Sequence, residues 1–418
     1  MAPSFTSRIF SVSNPRKLWL VTGAHAVNEF YSIALPPILP LLVNDFAISY
    51  GEAGVLLTVF FVTYSIFQLP AGVLADRIGQ RWLLAAGMVT LSTGIFIAAG
   101  AQGYGTLVFA EALAGIGGST YHPTGMSLIS DLETGDTEGK AMGIHGLGGV
   151  VGTALAPALI GSLAALFDWR LALTVSAIVG IAYTATFLVL FRDTDTTDNA
   201  APTEPDGGDS PKVETKTTTE GPERRWSQLA SLLPVPLERW VAVLFLANLA
   251  IATEIGAVRT FVTSYLVEHA GMTTVVANGI FFVMLVGAAI SSVGGGTLAD
   301  TVDRRSLGFV TMVVSTVILG ATALIPLVPV ALFAWFFLLG IVLWAAIPAM
   351  NAITSQYSEQ EFSGSLFGVM LTAGSLGGAG GPLLFGVAAE RFGLGAAFPF
   401  VASVSIVGAV SFLAMRRF

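Results

Sequence analysis

A carboxylate, imidazole or guanidinium set inside an apolar run is costly to keep there, so each one is a candidate for function. This sequence has few of them. Glu29, Glu111 and Glu254 stand in apolar stretches, as do His25 and His122, and Arg259 is the only base deep within one. A carboxyl withdrawn from water can exchange a proton as its surroundings change. Glu29, Glu111 and Glu254 are therefore candidates for proton coupling, with His25 and His122 as relays. The alternative for each is a side chain held permanently by a hydrogen bond or ion pair. His145, among glycines, reads as a packing residue.

Helical spacing groups these residues. At 3.6 residues per turn, His25, Asn28, Glu29 and Ser32 lie within about 60° of one direction, a polar stripe suited to a cavity wall. Glu111, Gly115, Gly118 and His122 align similarly. Glu254 shares a face with Phe261 and Tyr265, while Arg259 points elsewhere. Asn28, Tyr31, Tyr121, Arg259, Tyr265 and Trp344 are then the candidates for lining a substrate cavity. At about 1.5 Å per residue, Arg259 and Glu111 lie roughly 12 and 10 Å from the same side, which predicts an ion pair between them.

The elements that must hold these groups are long and apolar. Of 418 residues 54% are apolar and only 11% charged, against about 25% charged in an average soluble protein. The mean hydropathy is +0.77. A water-soluble enzyme is excluded. Twelve runs are long enough to cross a bilayer as helices: 18–43, 52–75, 82–101, 104–129, 140–166, 169–191, 240–267, 273–299, 306–325, 329–354, 364–389 and 393–415. They are continuous rather than alternating, which excludes a β-barrel. The reading is an all-α membrane protein with twelve transmembrane helices and the lipid bilayer as its solvent.

Other classes fall away. There is no Cys, hence no disulfide or thiolate site, and the net charge of −8 offers nothing to nucleic acid. No cleavable signal precedes Lys17. Gly115-Ile-Gly117 lies inside an apolar run with no strand before it, so it is no nucleotide fingerprint. No Ser-His-Asp spacing, metal-ligand cluster or cofactor motif is visible, so neither an enzyme nor a cofactor or metal is expected.

Basic residues set the orientation. With the N-terminus inside, sixteen bases face the cytoplasm and only Arg170 and Arg391 face out. Both termini are then cytoplasmic, in a multi-pass protein of the cytoplasmic membrane. Residues 193–238 form the one long break, rich in Thr, Asp, Glu, Pro and Gly, a composition that cannot bury a core. The organisation read here is a cytoplasmic tail over 1–17, six helices over 18–192, an acidic linker over 193–238 and six more helices over 239–418.

The two halves repeat. Gly72-Val-Leu-Ala-Asp76-Arg77-Ile-Gly79-Gln-Arg81 returns as Gly296-Thr-Leu-Ala-Asp300-Thr-Val-Asp-Arg-Arg305. At an offset of 225, Glu29 pairs with Glu254, Pro123 with Pro348, Gly149 with Gly374, Gly152 with Gly377, Pro157 with Pro382 and Gly161 with Gly386. The chain is a duplicated six-helix bundle, the pattern of parallel repeats known in major facilitator transporters.

The Gly-x-Leu-Ala-Asp-Arg-x-Gly-x-Arg stretch resembles the signature of the major facilitator superfamily. Within it the chain is most similar to fosmidomycin-resistance-type efflux proteins. That likeness rests on His25-Ala-Val-Asn28-Glu29, on Gly115-Ile-Gly117-Gly118-Ser-Thr-Tyr-His122-Pro123, and on Gly143-Ile-His-Gly-Leu-Gly148-Gly149 with Ala156-Pro157. Thr124 stands where that family often has an acid after His-Pro, and Glu111 where many exporters have Arg.

The resemblance implies alternating access without nucleotide hydrolysis. The reading is a proton-coupled exporter of small amphipathic compounds or drugs, working as a monomer. The alternatives are proton- or sodium-coupled uptake of an organic anion, and a non-transporting sensor on the same bundle. Gating falls to Gly72, Asp76, Arg77, Gly79, Arg81, Asp131, Asp300 and Arg305, with Arg77 and Arg81 pairing with Asp131 or Glu133. Packing between the halves falls to Gly149, Gly152, Pro157, Gly377, Gly381 and Pro382.

Overall fold

The computed structural model describes residues 12–133, 137–191, 238–324, 328–357 and 363–417. Among them every regular element is helical. The linker expected over 193–238 lies, but for Glu238, outside the described residues, as do residues 1–11 of the tail. The first half consists of span 1 (Pro15–Ser32, continued by Leu39–Phe46), span 2 (Tyr50–Ile78), span 3 (Gln80–Ala99), span 4 (Tyr104–Gly118 and Tyr121–Leu132), span 5 (Glu138–Leu166) and span 6 (Trp169–Leu190). The second consists of span 7 (Arg239–Ser264, extended by Tyr265–His269), span 8 (Thr274–Thr301), span 9 (Arg304–Thr322), span 10 (Pro329–Tyr357), span 11 (Ser363–Phe392) and span 12 (Leu394–Ala414).

Eleven of these are long and apolar enough to cross a membrane as single segments; span 4 is the twelfth, in two pieces. Pro123 stands just after the break; it has no N–H to give the carbonyl four residues back, so one rung of the ladder is missing there. The helix stops at Gly118 and restarts at Tyr121, which leaves Pro123 in the first turn of the new helix, where no N–H is needed. Pro348, its repeat partner, stays inside the unbroken span 10. Gly79, from the signature stretch, makes the turn between spans 2 and 3 at φ +86°, a conformation open to glycine and strained for other residues.

Both halves use one packing scheme: span 1 against 5, 2 against 4 and 3 against 6 recurs as 7 against 11, 8 against 10 and 9 against 12. Small residues make the first of these pairs close. Gly148 and Gly152 of span 5 lie against the backbone of Thr22 and Ala26, and a Cβ at Gly149 would stand 2.6 Å from the His25 ring. On span 11, Gly377 and Gly381 lie against the backbone of Leu249 and Thr253. The expected role of Gly149, Gly152, Gly377 and Gly381 between the halves is thus corrected: they join spans inside each half. Pro157 is buried within span 5. Pro382 alone of that set meets the other half, its carbonyl lying against Gly54 of span 2.

The halves meet where span 2 packs on 11 and span 5 on 8. The close contacts lie at the end remote from the termini. Gly386 receives the backbone of Tyr50, and Gly161 receives the side chain of Asn278. Thr58 Oγ1 donates to the Ala379 carbonyl at 2.7 Å, Asn278 Nδ2 donates to the Pro37 carbonyl at 2.9 Å, and the Tyr50 hydroxyl donates to the Glu268 carboxylate.

The expected gate lies at the opposite end, and there its parts stand apart. Asp76, Arg77 and Asp131 are exposed, and the nearest atom to a Cβ at Gly72 is Pro123 Cβ of its own half. Arg81 donates to the Leu188 carbonyl at 2.6 Å, Asp300 lies 3.9 Å from Arg304, and Arg305 donates to the Tyr357 hydroxyl at 2.5 Å. Glu133 is not the partner expected for Arg77 and Arg81. Its carboxylate accepts the backbone N–H groups of Ser13 at 2.9 Å and Asn14 at 2.7 Å, tying the start of span 1 to the end of span 4.

Burial pushes the Glu133 carboxyl up, but the Asn14 and Ser13 N–H groups outweigh it and hold it below the usual carboxylate range. A depressed folded-state value adds stability above the unfolded value, and that stability is lost as pH falls through the folded one. Glu133→Ala is therefore expected to lower the thermal midpoint at neutral pH, with the two melting curves converging in acid; a difference independent of pH contradicts the cap. For the seam, a Thr58→Cys/Ala379→Cys pair in this cysteine-free chain is expected to cross-link. Adding Gly386→Leu, overpacking of a kind that costs about 1–3 kcal/mol, should cut the yield several-fold. An unchanged yield contradicts the seam.

Candidate functional site

Between the halves lies a cavity of about 430 Å³. Span 2 gives it Phe61, Tyr64, Ser65 and Gln68, and the second piece of span 4 gives His122. Span 7 contributes Asn248, Ile251, Ile255 and Arg259; span 10 contributes Met350, Asn351 and Thr354; span 11 contributes Met370, Leu371 and Ser375. The lining runs from Arg259 near mid-span towards Gln68 and Thr354, in the direction of the termini.

Arg259 is the one base among these lining residues. Its guanidinium sits 5.2 Å from the centre of the Phe61 ring of the opposite half. Among the described residues no ion pair joins Arg259 to Glu111. That expectation is corrected: equal depth does not make two side chains face each other, and Glu111 is buried inside the first half.

Behind the His122 wall is a polar cluster. Glu29 Oε1 lies 3.9 Å from His25 Nε2 and 3.8 Å from His122 Nε2, and it accepts from Asn28 Nδ2 at 3.1 Å. Asn28 Nδ2 also contacts the Tyr64 hydroxyl, at 3.3 Å. His25 Nδ1 is 2.9 Å from the His145 carbonyl. A carbonyl only accepts, so Nδ1 carries the proton and Nε2 is the atom turned to Glu29. The His25 ring stacks on Tyr121 at 4.9 Å and on His145 at 4.3 Å, and His122 meets it edge-on at 5.6 Å. Two of the four histidines in the chain therefore converge on one carboxylate, with a third, His145, stacked behind His25. Their side chains differ in access: His25 is 11% exposed, Glu29 21% and His122 37%.

Sequence spacing shows no metal-ligand cluster, yet the fold makes one. One ligand atom each from His25, Glu29 and His122 lie within 4.8 Å of one another. Two spans nearly a hundred residues apart supply them, which no local motif reveals.

Several expected site residues lie elsewhere. Tyr31 donates to the Ser176 carbonyl and Tyr121 to the Val21 carbonyl, at 2.9 Å for Tyr121, both inside the first half. Tyr265 donates to the Thr322 carbonyl at 2.7 Å inside the second half. Trp344 packs against the core rather than lining the cavity. Glu254 is fully buried, and its Oε1 accepts from Ser315 and, at 2.7 Å, from Ser405 on spans 9 and 12. Of that face, Glu254 and Tyr265 turn into the half, whereas Phe261 stacks on Phe385 of its own half and meets Tyr50 of the other, and Arg259 holds the cavity side. Sequence reasoning missed Tyr64, Gln68, Asn248 and Asn351. The only local signal for Tyr64 and Gln68 is a polar pair four residues apart in an apolar span.

Comparison with known proteins follows from this geometry. The sequence model described as Major Facilitator Superfamily matches residues 18–382, and a second match covers 283–418. A D-galactonate transporter of Escherichia coli O6:H1 is 23% identical over 88% of this chain and 88% of its own length. A fosmidomycin resistance protein of Escherichia coli K12 is 23% identical over 91% of this chain and 84% of its own. Among solved structures, a bacterial homologue of the human lysosomal transporter Spinster, in an inward-facing and unoccupied conformation, superposes with a TM-score of 0.79 at 18% identity, covering 97% of this chain and 98% of the other.

The Glu254 assignment is testable. Ser405→Ala removes one of its two donors and leaves a buried acceptor short of a partner, at a cost of about 1–3 kcal/mol. A lower melting temperature in detergent is expected, and an unchanged one contradicts a packing role for this carboxyl.

Proposed function

The chain belongs to the Major Facilitator Superfamily, and from that premise we propose that it is a secondary transporter in which a proton and a small organic anion share one cavity. The observation that carries this reading is the cavity between the halves: Arg259 of one half lines it, 5.2 Å from the Phe61 ring of the other, and the Glu29 cluster stands behind its His122 wall. An anionic substrate is drawn to Arg259, and a proton carried on the nearby Glu29 cluster balances its charge, so anion and proton enter the cycle together. The asparagines and Gln68 around the cavity add donors for the polar groups of such a substrate.

Alternating access supplies the cycle. The contacts of the far end hold the cavity shut on one side while its lining reaches towards the termini. We place that open end in the cytoplasm on the bias of basic residues, and take the protein to act as a monomer in the cytoplasmic membrane. Glu254 and Glu111, buried away from the cavity, serve packing in this reading.

A second reading is proton-driven export of small amphipathic compounds by antiport. Phe61, Ile251, Ile255, Ile347, Met350 and Leu371 give the cavity an apolar wall, and one relative is named for resistance to fosmidomycin.

Reconstituted liposomes with an internal pH dye separate these. Under an imposed gradient, organic acids are expected to carry protons with them in the wild type. Glu29→Gln should keep exchange of labelled anion while losing proton movement, and Arg259→Leu should lower anion transport at least about tenfold, on the scale of a lost charge-assisted contact. Protons moving opposite to an amphipathic compound would establish the export reading instead. Silence of both dye and label in the folded wild type would favour a sensor.

A further inference from the structure

We infer that His25, Glu29 and His122 form a binding site for one divalent transition-metal ion of the zinc, nickel or cobalt class, open to the central cavity. The inference rests on side-chain geometry and stands apart from the identity of the transported compound.

The first observation is convergence. Glu29 Oε1 is 3.9 Å from His25 Nε2 and 3.8 Å from His122 Nε2, and the three ligand atoms lie within 4.8 Å of one another. A point equidistant from three such atoms is no more than about 2.5 Å from each. Zinc–nitrogen and zinc–oxygen bonds run from about 2.0 to 2.2 Å, so each side chain needs to move by about 0.4 Å. His122 has room to do so, since it is 37% exposed and lines the cavity, and Glu29 beside it is 21% exposed.

The second observation is what stands behind the ligands. A histidine that binds a metal through one ring nitrogen usually donates the other N–H to a carbonyl or carboxylate, which fixes the tautomer and the ring. His25 Nδ1 does this with the His145 carbonyl at 2.9 Å. Its ring is held between Tyr121 and His145, and Gly149 leaves no side chain to displace it. Asn28 orients Glu29 at 3.1 Å.

Donor chemistry selects the ion. Two imidazoles and one carboxylate suit borderline metals, whereas magnesium and calcium prefer all-oxygen sets. Three protein ligands with a cavity-facing fourth position leave room for water or for an anion. Arg259, which lines the same cavity as His122, is a positive charge that opposes the ion.

The test is direct metal binding by untagged, metal-stripped protein in detergent. Titration with Co²⁺ is expected to give saturable visible d–d bands at one equivalent, displaced by Zn²⁺ and untouched by Mg²⁺. Glu29→Gln, and His122→Asn at the most exposed ligand, should each weaken binding at least about tenfold, as lost metal contacts do. His269→Ala, at the far end beside Gly395, should leave it unchanged. Arg259→Leu should tighten it, a response that an adventitious surface site would not show. Melting curves establish that each variant is folded. A folded wild type without a saturable Co²⁺ band overturns the inference, as does a band that persists in both folded ligand variants.

Discussion

Lipid gives one apolar helix no hydrophobic reason to leave it for another, so spans associate where their backbones can come close. Everything in this molecule follows from where that approach is allowed. Gly148 and Gly152 bring span 5 onto the backbone of span 1, and Gly377 and Gly381 bring span 11 onto span 7. Each half thereby acquires a fixed internal geometry. Glycine sets the seam between halves as well, at Gly54, Gly161 and Gly386, with three side-chain hydrogen bonds at the far end.

The same close approach arranges the chemistry. Gly149 lies against the His25 ring, and that ring is set by the His145 carbonyl from the next turn of the same helix. Polar groups in an apolar solvent must satisfy each other, and here they do so as a group. Tyr64, Asn28, Glu29, His25 and His122 form one connected set, with His145 and Tyr121 stacked behind it. The break in span 4 belongs to this arrangement, because the helix that restarts at Tyr121 presents His122 to Glu29.

Duplication gave the halves equal frames, and their polar residues have since taken different parts. Glu29 and Glu254 are repeat partners, yet Glu29 lies beside the cavity-lining His122 while Glu254 is enclosed by Ser315 and Ser405. The first half carries the titratable cluster and the second supplies Arg259. In the transport cycle proposed above, that division is what links ion to substrate.

By itself the sequence determined the solvent, the element type, the twelve spans and the duplication, because apolar runs of about 20 residues in lipid can only be helices. It also determined which groups are costly: Glu29, His25, His122 and Arg259 were all legible as ionisable residues in apolar runs. Helical periodicity placed Arg259 and Glu254 on different faces of span 7, but it carries no information about what either face meets. Only the packing decided that Arg259 looks across the seam to Phe61 rather than to Glu111. Only packing moved Gly149, Gly152, Gly377 and Gly381 from between the halves to within them. Tyr31, Tyr121 and Tyr265 were named as cavity aromatics, and their hydroxyls instead cap carbonyls inside the halves. The physical reason is common to all of these. A residue's cost of burial is a local property of its side chain, whereas its partner is set by the rotation and register of another helix that no local spacing encodes.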